Sequence, residues 1–176
     1  MNEDRKLTQA GADLIHHFEG CHQKKGDKYA AYKCPANVLT IGHGHTNHHG
    51  RQFHATTVWT REECDAAFME DMGGFEQDVR SLVVVALQPW EFDALVSLTY
   101  NIGSGAFKKS TLLRKLNSGD REGAALEFHR WNKAGGKALA GLTRRRASEA
   151  LMFQGLLDEN YDGKPDPMPQ AVDEPA

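Results

Sequence analysis

The chain has 176 residues, 40% hydrophobic and 26% charged, with a formal net charge of −3. This length suits one domain whose core needs no disulfide or metal staple, and the composition excludes a mostly disordered or collagen-like chain. The longest apolar run, residues 82–87, is far short of the ~20 residues of a membrane span, so no stable membrane insertion is expected.

The mixed-charge start Met1-Asn2-Glu3-Asp4-Arg5-Lys6 leads into no apolar segment, so no secretory signal is expected and the chain is read as first held in a cytosol. Three cysteines argue against a disulfide framework. Residues 158–176 carry six acids, one lysine and four prolines with few apolar residues, and are expected to form a disordered acidic tail. The remaining body carries only +2, too weak to imply a nucleic-acid partner.

In chain order, Thr8 is placed to cap a first helix that buries Leu14, Ile15 and Phe18 and stops at Gly20. Residues 29–54 are rich in Gly, His, Thr and Tyr, and Val38-Leu39-Thr40-Ile41 reads as a short strand, which together predict a small β-hairpin lobe. Thr60-Arg61-Glu62-Glu63 is a capping box opening a helix that carries Cys64, Ala67, Phe68, Met72, Phe75 and Val79 at helical spacing. Pro89 fits the first turn of a helix with Phe92, Leu95, Val96 and Leu98 on one face, ending near Gly103. Ser110 caps a short helix reaching Asn117, and Asp120 caps another with Ala124, Leu126, Phe128 and Trp131. Ala134-Gly135-Gly136 reads as a loop, and a last helix runs over about residues 142–155. The outline is α+β and mainly helical: one domain over residues 1–157, with a β lobe (29–54), a larger helical lobe (60–155) and a cleft between them.

Three features bear on chemistry. Glu19 ends the first helix, where the negative end of the dipole disfavours a carboxylate by a few tenths to ~1 kcal/mol, the direction a proton donor needs. Gly42 and Gly44 alternate with His43 and His45, which permits close backbone approach to a neighbouring segment. His43, His45, His48, His49 and His54 could suggest zinc, but no His-Glu-x-x-His or paired Cys-x-x-Cys motif accompanies them. They read as polar loop residues with one oriented core histidine, so no metal and no cofactor is expected.

Several motifs in order carry a resemblance: Phe18-Glu19-Gly20, Ala31-Tyr32-Lys33-Cys34-Pro35-Ala36, Leu39-Thr40-Ile41-Gly42-His43-Gly44-His45-Thr46, Asn101-Ile102-Gly103, and Gly141-Leu142-Thr143-Arg144-Arg145-Arg146. Over about residues 8–155 the chain resembles the phage-type lysozymes, the endolysin muramidases. The resemblance implies a lysozyme-like fold and hydrolysis of the β-1,4 bond between N-acetylmuramic acid and N-acetylglucosamine in peptidoglycan. It puts Glu19 on the general acid and Cys34 on a position usually held by Asp. Thr40 falls on a hydroxyl that positions water, His45 on a structural turn histidine, and Asn101 on a polar cleft residue. Arg145, with Arg144 as the alternative, falls on the arginine that meets the acid.

Two departures stand out. Fourteen residues separate Glu19 from Cys34, more than the usual family gap, and the polar stretch 23–28 is expected to lengthen a loop at the cleft mouth. A neutral thiol is a poor base, so nearby Asp27 is an alternative second carboxylate. The resemblance further implies glycan strands as substrate, a monomer, and host lysis. The enzyme would be held in the host cytoplasm until a holin lets it reach the wall in the periplasm. Rival readings are a lytic transglycosylase using Glu19 alone, a noncatalytic wall-binding module, and a histidine-loop metalloprotein.

Overall fold

The computed structural model describes residues 2–19, 24–34, 37–48 and 50–157. The expectations placed on Gly20, on His49 and on the acidic tail lie outside them.

Thr8 opens the first helix, α1 (Gln9–Glu19), with its hydroxyl accepting from Gly11 N at 3.3 Å. Leu14 and Ile15 are buried and Phe18 packs at the edge of the main core. The β lobe is larger than the hairpin expected over residues 29–54, because its strands begin at Lys24 and end at Trp59. One sheet orders β1 (Lys24–Lys25), β2 (Lys28–Ala30) and β6 (Val58–Trp59). The other orders β3 (Tyr32–Lys33), β4 (Leu39–Ile41) and β5 (His45–Thr46), with Tyr32 opposite Thr40 and Ile41 opposite His45.

The polar stretch read as a loop therefore includes a hairpin. Lys25 pairs with Lys28 across Gly26-Asp27, and Gly26 at φ 65° supplies the positive φ that a two-residue turn with glycine first requires. Tyr29 then pairs with Trp59, which ties this hairpin to the lobe and its core of Tyr29, Ile41, Phe53, Trp59, Cys64 and Ala67.

Thr60 and Glu63 make the expected capping box, with reciprocal bonds of 3.2 and 2.8 Å, and start α2 (Arg61–Leu82). Its 22 residues extend ~33 Å at 1.5 Å per residue. The N-terminal turns place Cys64 and Ala67 in the β-lobe core, and the later turns place Met72 and Val79 in the main core.

Pro89 opens α3 (Pro89–Ile102), which Gly103 ends at φ 85°. Only one apolar face was expected here, yet every residue from Glu91 to Thr99 is buried. The helix runs through the centre of the lobe, and its polar members find partners: Arg121 pairs with Glu91 at 2.8 Å, and Thr8 N donates to Asp93 at 2.9 Å.

A short helix not legible in the sequence, α4 (Ser104–Lys108), precedes α5 (Thr111–Asn117), which Ser110 caps, and α6 (Arg121–Glu127), which Asp120 caps. Leu126 does not join the buried face. It is 69% exposed, because a helix places residues 124, 125 and 128 together and turns 126 outward. A single 3-10 turn (Phe128–Trp131) continues the path. The segment read as a loop is a hairpin of β7 (Lys133–Ala134) and β8 (Lys137–Ala138), turned by Gly135 and Gly136, both at positive φ. The last helix, α7 (Ala140–Phe153), starts two residues earlier than expected and packs against α3.

Candidate functional site

Glu19 is the last residue of α1 and its side chain is 27% exposed. Arg145 from α7 donates through Nη1 to Glu19 Oε1. The arginine is itself fixed: Nε donates to Glu149 Oε1 at 3.1 Å, Nη2 reaches the Ser97 carbonyl at 3.4 Å, and the guanidinium lies 5.8 Å from the centre of the Phe18 ring. Glu149 is fully buried and also accepts from Ser97 Oγ at 2.6 Å and Arg146 Nη2 at 2.8 Å. Arg146 Nε lies 2.8 Å from Glu149 Oε2, an ion pair by distance but not aligned as a hydrogen bond.

Burial pushes the Glu149 carboxyl up and the Arg146 guanidinium down, and each opposes the shift of the other through its charge. Two carboxyls and two guanidiniums thus form one charge-balanced chain from the core of the helical lobe out to Glu19. Neither Glu149 nor its partner Ser97 was singled out from the sequence. The one local signal was the helical i,i+4 spacing of Arg145 and Glu149.

Glu19, Arg145 and Asn101 line one open cavity of about 470 Å³, together with Phe18, Leu139 and Arg144. Tyr100 precedes Asn101 in α3 and reaches the β lobe. Its hydroxyl is 3.4 Å from the His43 carbonyl in the β lobe, and burial, followed by the nearby Glu19 charge, pushes its phenol well up while Arg145 opposes, so it stays neutral.

Cys34 and Thr40 belong to the β lobe and do not line this cavity. Cys34 is half-buried in a turn closed by Asn37 N donating to Cys34 O at 2.8 Å, with Asn37 at φ 61°. Thr40 is buried and its hydroxyl donates to the Val38 carbonyl at 3.1 Å. Asp27 sits on the β1–β2 turn and lines a different cavity with Lys24, Lys28, Tyr29, Thr60 and Arg61.

His45 has both ring nitrogens engaged, Nδ1 with Asp71 at 2.7 Å and Nε2 with the Arg51 carbonyl at 2.6 Å, and packs between Phe53 and Trp59. It has no nitrogen left for a metal, and His48 and His54 are exposed. The histidine that joins His43 instead is His16, from α1. The two rings stack at 3.8 Å with 9° between planes, and burial, with His43 next, pushes the His16 imidazole down to about 4.

The phage lysozyme family model matches residues 16–149, a span that contains Glu19, the β-lobe turn, Asn101 and Arg145. The chain belongs to the phage lysozyme family. Among its relatives, the endolysin of Bacillus phage B103 is 41% identical over 149 residues, 84% of this chain and 53% of the relative. The endolysin of Bacillus phage PZA is 39% identical over 157 residues, 88% of this chain and 57% of the relative. The chain thus spans little more than half the length of these two.

The endolysin of Acyrthosiphon pisum secondary endosymbiont phage 1 matches along 97% of its own length at 38% identity, covering 84% of this chain. Among solved structures, the muramidase domain of SpmX from Asticaccaulis excentricus superposes with a TM-score of 0.73 at 36% identity, covering 85% of this chain and 97% of that one. A phage P22 lysozyme variant gives 0.74 at 33% identity, covering 85% and 98%. The lysozyme-like, mainly helical α+β architecture is common to this chain and those neighbours.

Proposed function

We propose that this chain is a muramidase of the endolysin type, hydrolysing the β-1,4 bond between N-acetylmuramic acid and N-acetylglucosamine in peptidoglycan, with Glu19 as general acid. The observation that carries the reading is the state of Glu19. It is half-buried at the cleft, beside Asn101, and held by an arginine that is itself anchored from behind. Glu149, with no exposure, is out of a substrate's reach.

In the reaction, Glu19 gives its proton to the glycosidic oxygen as the bond to the anomeric carbon breaks. The developing oxocarbenium ion is captured by water, whose oxygen bonds to the anomeric carbon while one of its protons passes to solvent, and solvent returns a proton to Glu19 for the next turnover. Arg145 then stabilises the carboxylate left behind and keeps it aimed at the leaving group. Thr40 would orient the water. Its proton is committed to Val38, so its oxygen can only accept, which suits holding a water by one of its own protons. Cys34 is the second group near the reacting sugar. Asp27, on the β1–β2 turn, is the alternative second group; neither it nor Cys34 lines the cavity that holds Glu19. Action as a monomer, retention in the host cytoplasm and release to the wall with a holin's help belong to the same proposal.

The test uses purified peptidoglycan and mass spectrometry of the soluble products. Reducing muramic ends are expected, and Glu19→Gln should lower turnover at least ~10²-fold while leaving the fold intact. Anhydromuramyl ends would replace hydrolysis by the transglycosylase reading. A Glu19→Gln variant with near-normal turnover would remove Glu19 from its role. Cys34→Ala losing most activity while Asp27→Asn retains it would place the second group at Cys34, and the reverse pattern would move it to Asp27.

A further inference from the structure

Behind the cleft, where α1, the β4–β5 turn and α2 meet, two buried ring nitrogens have no hydrogen-bond partner among the described residues: His16 Nε2 and His43 Nδ1. His43 is 5% exposed, and its Nε2 lies 2.9 Å from Asp65 Oδ1. Phe68 closes the apolar side, its ring centre 4.2 Å from that of His16 and 5.8 Å from that of His43. One donor atom from each of His16, His43 and Asp65 lies within 4.8 Å of the other two. Buried polar atoms are nearly always satisfied, so the orphaned imidazole nitrogen of His16, beside the His43–Asp65 pair, asks for a partner.

We propose that His16, His43 and Asp65 form a binding site for a divalent transition metal of the zinc class. Two imidazoles and one carboxylate are a donor set that zinc accepts, with water in the fourth position, whereas magnesium and calcium favour oxygen ligands. Zinc–nitrogen bonds of ~2.0–2.1 Å in a tetrahedral site bring neighbouring donors to about 3.4 Å, so the cluster has to contract by little more than an ångström. The metal takes the place of the proton between His43 and Asp65. The two rings have to tilt out of their parallel stack, because an imidazole binds a metal in its own plane.

Asp65 is 42% exposed, which gives the ion a path from solvent and leaves room for the water ligand. Arg61, 3.4 Å from Asp65, 57% exposed and also hydrogen-bonded to Tyr29, gives up its contact with Asp65 as the ion arrives. The three ligands come from three elements, so a bound ion would tie α1 to the β-lobe turn and to α2, three residues before Glu19. This site is independent of the muramidase reading.

The test is made on the full chain after chelator treatment, with zinc chloride as the probe. Calorimetric titration is expected to give one ion per chain at micromolar zinc and a raised Tm, with no response to magnesium. His16→Ala and Asp65→Asn, both partly exposed positions that should tolerate substitution, are each expected to weaken zinc binding at least ~10²-fold, since even outer partners of ligands cost 10–100-fold. A His48→Ala/His54→Ala double variant should bind as the parent does. Absence of micromolar binding would overturn the proposal. So would binding that survives both ligand substitutions, or binding lost in the His48/His54 variant. Cobalt(II) supplies a second readout: a visible spectrum without tetrahedral character would also count against the site.

Discussion

Replacing Arg145 with methionine removes the link between Glu19 and the buried charges behind it, and the structure sets the size of the effect. Methionine keeps much of the apolar stem packing, so the loss is mainly polar. Arg145 is 4% exposed and donates to the fully buried Glu149 at 3.1 Å, to the Ser97 carbonyl at 3.4 Å and to the partly exposed Glu19. Removing one partner of a buried ion pair costs about 3–5 kcal/mol. Arg146 remains within 2.8 Å of both oxygens of Glu149, which places the expected loss at the low end, about 3 kcal/mol. For a chain of this size that corresponds to a Tm lower by about 6–12 °C.

Glu19→Gln should cost at most about 1 kcal/mol, because the carboxylate is partly solvated and screened. Urea unfolding of the single and double variants gives the couplings, and that of Arg145 with Glu149 should exceed that of Arg145 with Glu19. Wall-clearing rates measured where each variant is fully folded should fall at least ~10-fold for Arg145→Met, since the acid loses its fixed orientation. An Arg145→Met variant within about 1 kcal/mol of the parent would refute the buried-anchor account, as would a larger coupling to Glu19 than to Glu149.

Gly42→Ala should cost about 2–4 kcal/mol. The position has φ 61°, and an added Cβ would meet Cys64 Sγ at 2.8 Å, so backbone strain and overpacking both act. Cys64→Ala in that background should restore only part of the loss in urea unfolding; full restoration would show that the backbone conformation is not strained. Asp93, buried and hydrogen-bonded to Thr8, has its carboxyl pushed up, mainly by burial. A raised value means stability that is present in acid and lost as pH climbs through it. Asp93→Asn removes this dependence, so its stability relative to the parent should rise from acid to neutral pH, and parallel unfolding curves across that range would exclude the assignment.

Elements whose signal is local were legible. The capping box at Thr60, Pro89 in the first turn of its helix, and the Ser110 and Asp120 caps all act within a few residues and appear where expected. The β1–β2 hairpin was not legible, because Lys-Lys-Gly-Asp-Lys has no apolar alternation and is held by Tyr29 pairing with the distant Trp59. In α4 only Phe107 is buried, too little to make a periodic pattern.

Glu19 stood out because it breaks the dipole rule, and Arg145 was reached through resemblance. Glu149 escaped because its role depends on Ser97, 52 residues away in sequence. Of the histidines crowded along one loop, His43 finds its partner ring outside that loop, in His16. His16 and His43 meet only because α1 and the β4–β5 turn pack together, a contact that no sequence spacing encodes.

The long helix α2 has one end in each core, and this bears on how the molecule comes apart. Melting the small β-lobe core strips the apolar cover from Cys64 and Ala67 while Met72 and Val79 stay clamped in the larger one. Local opening should therefore fray the helix from its N-terminal end, and amide protection should climb along a single continuous element from residue 64 towards residue 79. One helix then serves as a ruler of the free-energy gap between the two lobes. Because its first turns carry Asp65, Ala67 and Phe68, any opening of the β lobe loosens the packing behind α1 before the helical core is disturbed.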